Sequence, residues 1–249
     1  MLHNNFVCGY KDISNEPYAG NSGAHATNAN AVETTNGAGS HNIQMFIMDP
    51  DGTVLHCMPG YWNPSDLAGE LRLGQQLDTV YHNQSLTPEQ KKNEFARMQM
   101  DHFQHHSHEL VARSHMQGFD RHHELMKKGI ADTLRSSPSP FGADGDDLVK
   151  TTDEIMHERM SKRPFMAYSN FDTAKFADYG TRFYDKHEEN LDETGKNLNP
   201  EAKITTMQEV SHKVSYQSHG GASGRVPKMQ IKTYGSLRVK PQTPSPTAQ

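Results

Sequence analysis

Cysteine is nearly absent from this chain: the 249 residues include only Cys8 and Cys57. Two thiols 49 positions apart supply neither a Cys-x-x-Cys pair nor a disulfide framework. Long apolar runs are missing as well. No stretch approaches the roughly 18 residues of a membrane span. Met1 is followed by His3-Asn4-Asn5, not by a basic segment and an apolar core. The chain therefore reads as soluble, unattached to membrane and, as it stands, cytoplasmic. With 33% apolar residues and a mean hydropathy of -0.84, one modest core is expected rather than a core spanning the whole length. Strong charge of one sign is lacking too. The net charge of -5 conceals a tail, 201–249, with seven Lys or Arg against two Glu, but neither part calls for a nucleic-acid partner. That tail carries Tyr216 and Tyr234 as its only aromatics, too few for stacking on single strands. Gly37-Ala38-Gly39 lacks the spacing and following lysine of a phosphate loop, and no cofactor is implied.

The stretch 43–77 carries the clearest pattern. Ile43, Met45 and Ile47 on one face, with Phe46 and Met48 on the other, predict an inner strand covered on both sides. Asp49-Pro50-Asp51-Gly52 is a tight reversal: Pro50 presets φ and Gly52 supplies the left-handed conformation. A second strand covers 53–58, ended by Pro59-Gly60. Asn63 then caps a helix with Pro64 at its first position and Leu67, Leu71 and Leu77 along one stripe.

The order strand, Asp-Pro-Asp-Gly turn, strand, Pro-Gly-aromatic, helix resembles the C-terminal half of a thioredoxin-like domain, over about the first third of the chain. The resemblance implies an α/β fold with an incomplete thioredoxin-like sheet over 1–84, in which Asn4-Asn5-Phe6-Val7-Cys8-Gly9-Tyr10 forms the preceding strand. In such a sheet Cys8 and Cys57 would stand roughly 14 Å apart at about 4.8 Å per strand, too far for a disulfide, which needs Cα atoms within about 7 Å. The family's central strand and Cys-x-x-Cys helix would have to precede Met1, so a longer reading frame is expected. Ser40-His41-Asn42 stands where the family has a cis-proline. Thiol-disulfide oxidoreduction is implied only if that longer frame supplies the cysteine pair. As written, the chain reads as a structural or interaction protein with no catalytic residue named.

Residues 14–42 read as a Gly/Asn/Ser-rich loop. From 85 to 135 the chain reads as one long amphipathic helix, with a break possible at Gly118 or Gly129. It is capped by Thr87, with Pro88 first and Gln90 completing a capping box. About 48 residues at about 1.5 Å each would extend roughly 70 Å. Its narrow stripe (Met100, Phe103, Leu110, Phe119, Met126) would then need the helix expected over 172–191 folded back against it, a second copy or a protein partner, through 87–135. Seven of the sixteen histidines lie here: His102, His105, His106, His108, His115, His122 and His123. Paired side by side they would repel when protonated, weakening association below about pH 6. The first reading is a solvated polar face that happens to use histidine. The alternative is a weak metal site: His102 and His106 at i and i+4, with Glu109 close by, suit zinc, nickel or copper. Phe103 follows His102 where a His-Glu-x-x-His site needs glutamate.

Beyond lies a linker over 136–150, then a helical pair over 151–192. The first helix starts at a Thr151-x-x-Glu154 capping box and stops before Pro164. The second starts at Asp172, with Phe171 and Phe176 as a hydrophobic staple and an apolar face of Phe176, Tyr179, Phe183 and Leu191. Glu154-x-x-His157 matches half of a di-iron carboxylate site, which the chain is not expected to complete. Residues 193–249 read as a flexible basic tail, with a weak hairpin near 229–239.

Overall fold

A computed structural model describes residues 1–22, 34–127, 131–136 and 148–184. Its architecture is mixed α/β and grows from the reversal at Asp49-Pro50-Asp51-Gly52. The Asp49 carboxylate accepts the Asp51 N–H at 3.0 Å, the Gly52 N–H returns to the Asp49 carbonyl at 2.9 Å, and Gly52 adopts φ +88°. This turn joins β2 (Gln44–Met48) to β3 (Thr53–Pro59) in an antiparallel pair whose register slips between Ile47 and Met48. A short β4 (Met166–Ala167) pairs antiparallel with the start of β3, giving the order β2-β3-β4.

The inner strand is therefore β3, every residue of which is buried. β2 is an edge strand, with Ile43 and Met48 about half exposed, where the sequence predicts cover on both sides. Earlier in the chain lie a single helical turn, α1 (Leu2–Asn5), and a two-residue β1 (Asn21–Ser22), which pairs parallel with β5 (Phe183–Tyr184). The strand expected at 4–10 does not form. None of the described strands pairs with it, and Val7, Cys8 and Tyr10 are exposed. Cys8 and Cys57 are both free thiols; burial pushes the Cys57 thiol well up.

Helix α2 (Pro64–His82) begins as expected, with Pro64 first and the Asn63 side chain accepting the Ser65 N–H at 3.1 Å. The Thr87/Gln90 capping box likewise opens α3 (Pro88–Gln104). That helix does not continue to 135. It stops at His105, Ser107 caps α4 (His108–Arg113) by accepting the Leu110 N–H at 3.2 Å, and a second break at Ser114 precedes α5 (Gly118–Met126). The shorter pieces fold back on the chain itself: Phe95 is wholly buried, and Leu110 and Phe119 are nearly so.

In α6 (Thr152–Ser161) Thr151 is the N-cap, but the expected box does not close, because Glu154 pairs with Arg135 instead. The predicted second helix is only one turn, α7 (Thr173–Phe176). The staple is present, with Phe171 and Phe176 ring centroids 5.1 Å apart, but Gly180 at φ +67° ends any helical path before Phe183. Leu191, the basic tail and the 229–239 hairpin lie outside the described residues, as do parts of the predicted 14–42 loop and 136–150 linker.

One core draws on helices α2, α3, α6 and α7 and on the sheet. Val54, Leu55, Cys57, Met58, Leu77, Phe95, Met156, Met160 and Phe176 form one cluster. Leu77 or Phe95, buried completely, each contributes roughly 1.5–3 kcal/mol. Ile47 and His56 are opposite one another in the hairpin register. A Cβ on Gly74 of α2 would lie 2.5 Å from Ile47 Cδ1, so the glycine lets α2 lie close on that face. α3 packs on both α2 and α6, and α2 and α6 pack on β3. This packing surrounds His56 with the helices that carry the polar residues described next.

Candidate metal centre

Glu70 sits on α2 among Leu67, Leu71 and Leu73, and its carboxylate is fully buried. A buried carboxylate without compensation is costly. Four imidazoles converge on this one. Oε1 is 3.3 Å from His102 Nε2 and 3.4 Å from His106 Nε2; Oε2 is 3.5 Å from His157 Nε2 and 3.0 Å from His56 Nε2. The break after α3 places His106 two residues beyond the helix end, with its side chain 4% exposed. His102 and His106 come from the end of α3, His157 from α6 and His56 from β3. The rings of His102, His106 and His157 form a triangle with centroid separations of 4.9, 5.1 and 5.4 Å.

The outer partners settle which nitrogens carry protons. Gln99, wholly buried on α3, places its Oε1 2.8 Å from His157 Nδ1 and its Nε2 3.2 Å from His56 Nδ1. His157 therefore donates from Nδ1 and keeps a lone pair at Nε2. His56 accepts at Nδ1 and donates from Nε2 to Glu70; the flipped amide would turn a bare His56 nitrogen toward the carboxylate. His106 Nδ1 lies 2.9 Å from the Asp153 carboxylate, which assigns it as donor and leaves Nε2 facing inward. His106 Nε2 and His157 Nε2 are both buried without a hydrogen-bond partner among the described residues. Two imidazole nitrogens thus face a buried carboxylate across gaps too long for a charge-assisted hydrogen bond, which runs to about 2.7–2.9 Å.

A cation would resolve this arrangement. The ligand atoms of Glu70, His102, His106 and His157 all lie within 4.8 Å of one another. Ligands about 2.0–2.1 Å from a tetrahedral zinc stand roughly 3.3 Å apart, close to the Oε1 separations above. The outer shell has the form expected around metal-bound imidazoles: a carboxylate behind His106, an amide behind His157, and His56 orienting Glu70. The donor set, three imidazoles and a carboxylate, fits zinc, iron, nickel or copper better than calcium or magnesium.

Burial would raise Glu70, but the imidazoles facing it, His157 first, hold it well below the usual carboxylate range. Burial pushes His157 itself down to about 4, the attraction of Glu70 notwithstanding, so it is neutral at pH 7. Burial would lower His106 too, but Asp153 and Glu70 raise it to about 9. Without a metal, a proton on His106 supplies the positive charge between the two carboxylates.

Of the residues singled out in the sequence, His102 and His106 are brought together here. Glu109 is not: it lies exposed in the first turn of α4, its carboxylate lowered by its own backbone N–H and the Ser107 hydroxyl. The break after Gln104 turns it away from the histidines, and Glu70 and His157 complete the set. Of the half-motif Glu154-x-x-His157, only the histidine enters. No protein-family model, curated protein or solved structure matches the chain.

Proposed function

We propose that this chain is a metal-binding protein that holds one divalent transition-metal ion, zinc first by ligand set, between Glu70, His102, His106 and His157. The observation that carries the reading is the pair of buried, unpartnered Nε2 atoms of His106 and His157 facing the Glu70 carboxylate. Such groups cost roughly 1–3 kcal/mol each when left unsatisfied, a penalty that metal coordination removes. The ion would join α2, α3 and α6, which otherwise meet around a buried negative charge. The chemistry it would supply is Lewis-acid coordination; the chain's own part is to orient the imidazoles through Gln99 and Asp153 and to hold Glu70 ionised. The test is reconstitution of chelator-treated protein with zinc, cobalt and calcium, followed by dialysis and metal analysis. One zinc or cobalt per chain, no retained calcium, and a higher melting temperature are expected. Substoichiometric zinc with an unchanged melting temperature would refute the reading.

A second reading keeps the resemblance to thioredoxin-like domains. The β2-turn-β3-α2 order supports it, and a redox role would require thiols supplied from outside this sequence. The metal centre needs only residues present here.

A further inference from the structure

The four ligands are not held alike. Glu70, His106 and His157 are 0–4% exposed, whereas the His102 side chain is 26% exposed. Each of the three buried ligands also has a separate partner: His56 behind Glu70, Asp153 behind His106 and Gln99 behind His157. Among the described residues, the His102 side chain hydrogen-bonds to Glu70 alone. Outer partners are what fix a ligand's ring orientation, so His102 is the ligand free to turn away. His102 also lines a groove of about 390 Å³ between α2 and α3. Buried Leu73 and half-buried Val80 and Met98 line this groove with the exposed Gln76, Arg97 and Asp101.

We propose that His102 is the exchangeable position of the centre, and that small oxygen- or nitrogen-donor ligands reach the metal along the α2–α3 groove while Glu70, His106 and His157 retain the ion. The inference rests on the metal reading above and goes further. A centre with four fixed protein ligands is closed and structural, while one with three fixed ligands and an exchangeable position admits water or substrate. The groove's mixed rim, with Arg97 paired to Glu94 at 2.7 Å and Asp101 beside them, selects for small size more than for charge.

The experiment uses the full chain loaded with cobalt(II), whose visible spectrum reports coordination, and azide as the probe. Metal content is measured first. Azide should shift the cobalt bands saturably in the wild type. Gln76→Trp, at an exposed groove position outside the ligand set, should raise the azide concentration needed without changing cobalt content. His102→Ala should keep cobalt and recover a wild-type-like spectrum on adding imidazole. Stoichiometric cobalt with a spectrum that azide does not move would overturn this proposal alone and leave a closed structural site. A folded His102→Ala that releases its cobalt would also overturn it. Absence of cobalt from the wild type would remove the metal reading and this inference together. Should His102→Ala fail to fold, the wild-type and Gln76→Trp titrations still decide.

Discussion

Thr152 and Asp153 are neighbours at the start of α6, yet they belong to two buried polar clusters of opposite character. Around Thr152 every group is answered. Its hydroxyl donates to the Asn36 carbonyl at 2.6 Å, and the Asn36 amide donates to Asp66 at 2.8 Å and to Ser114 at 3.2 Å. Asn36 Oδ1 accepts the Asn63 N–H at 2.9 Å, and Arg113 grips Asp66 with two bonds of 2.7 and 2.8 Å. Around Asp153 the bonds run inward and stop: the outer nitrogens of His106 and His157 are satisfied, and their inner nitrogens are not. Both clusters are buried and charged, so burial and charge do not separate structure from site. What separates them is whether the protein completes its own hydrogen bonding.

The comparison is broken most severely by His157→Ala. At zinc a thousandfold above its dissociation constant, binding adds about 4 kcal/mol of stability, on the order of 10 °C for a domain of this size. His157→Ala should lose that zinc-dependent increment, read by thermal unfolding with and without zinc, whatever it does to the metal-free protein. Asn36→Ala should do the reverse. Leaving Asp66 and the Asn63 N–H short of partners costs roughly 2–4 kcal/mol in denaturant unfolding, while zinc stoichiometry stays at one.

The pH dependence sharpens the same contrast. His106 is raised from 6.5 to about 9, so without metal its contribution is fully present below about pH 6.5 and is lost as pH rises through about 9. Chelator-treated protein should therefore lose on the order of 2–3 kcal/mol across that range, and zinc-loaded protein should not. A flat profile in the chelated protein would mean that His106 does not supply the balancing charge. Smallest is Asp153→Asn, which keeps the shape but weakens the acceptor behind His106. Zinc affinity measured by competition should fall roughly 10- to 100-fold, with the fold retained.

Local signals in the sequence were legible where they needed no distant partner. The Asp49–Gly52 reversal, the Asn63-Pro64 start and the Thr87/Gln90 box all form as read, because each is closed by residues within a few positions. The strand expected at 4–10 and the single helix expected over 87–135 failed for the opposite reason. A strand needs a pairing partner, and a helix rich in histidine with a narrow stripe yields to a serine cap such as Ser107 when folding back buries Leu110 and Phe119. The His102/His106 spacing was visible, but Glu70 and His157 arrive from other helices. The signal for Glu70 and for its partner His56 was a polar residue in an apolar setting: Glu70 among Leu67, Leu71 and Leu73, and His56 between Leu55 and Cys57 on a strand that is wholly buried. Glu109 was attractive only while the helix was taken as continuous.

The most direct measurement is zinc K-edge X-ray absorption on the reconstituted full chain, alongside His157→Ala. The account predicts a shell of nitrogen and oxygen at about 2.0–2.1 Å with outer-shell scattering from three imidazoles, reduced in the variant. A wild-type spectrum of hydrated zinc without imidazole scattering, or one identical in His157→Ala, would contradict it.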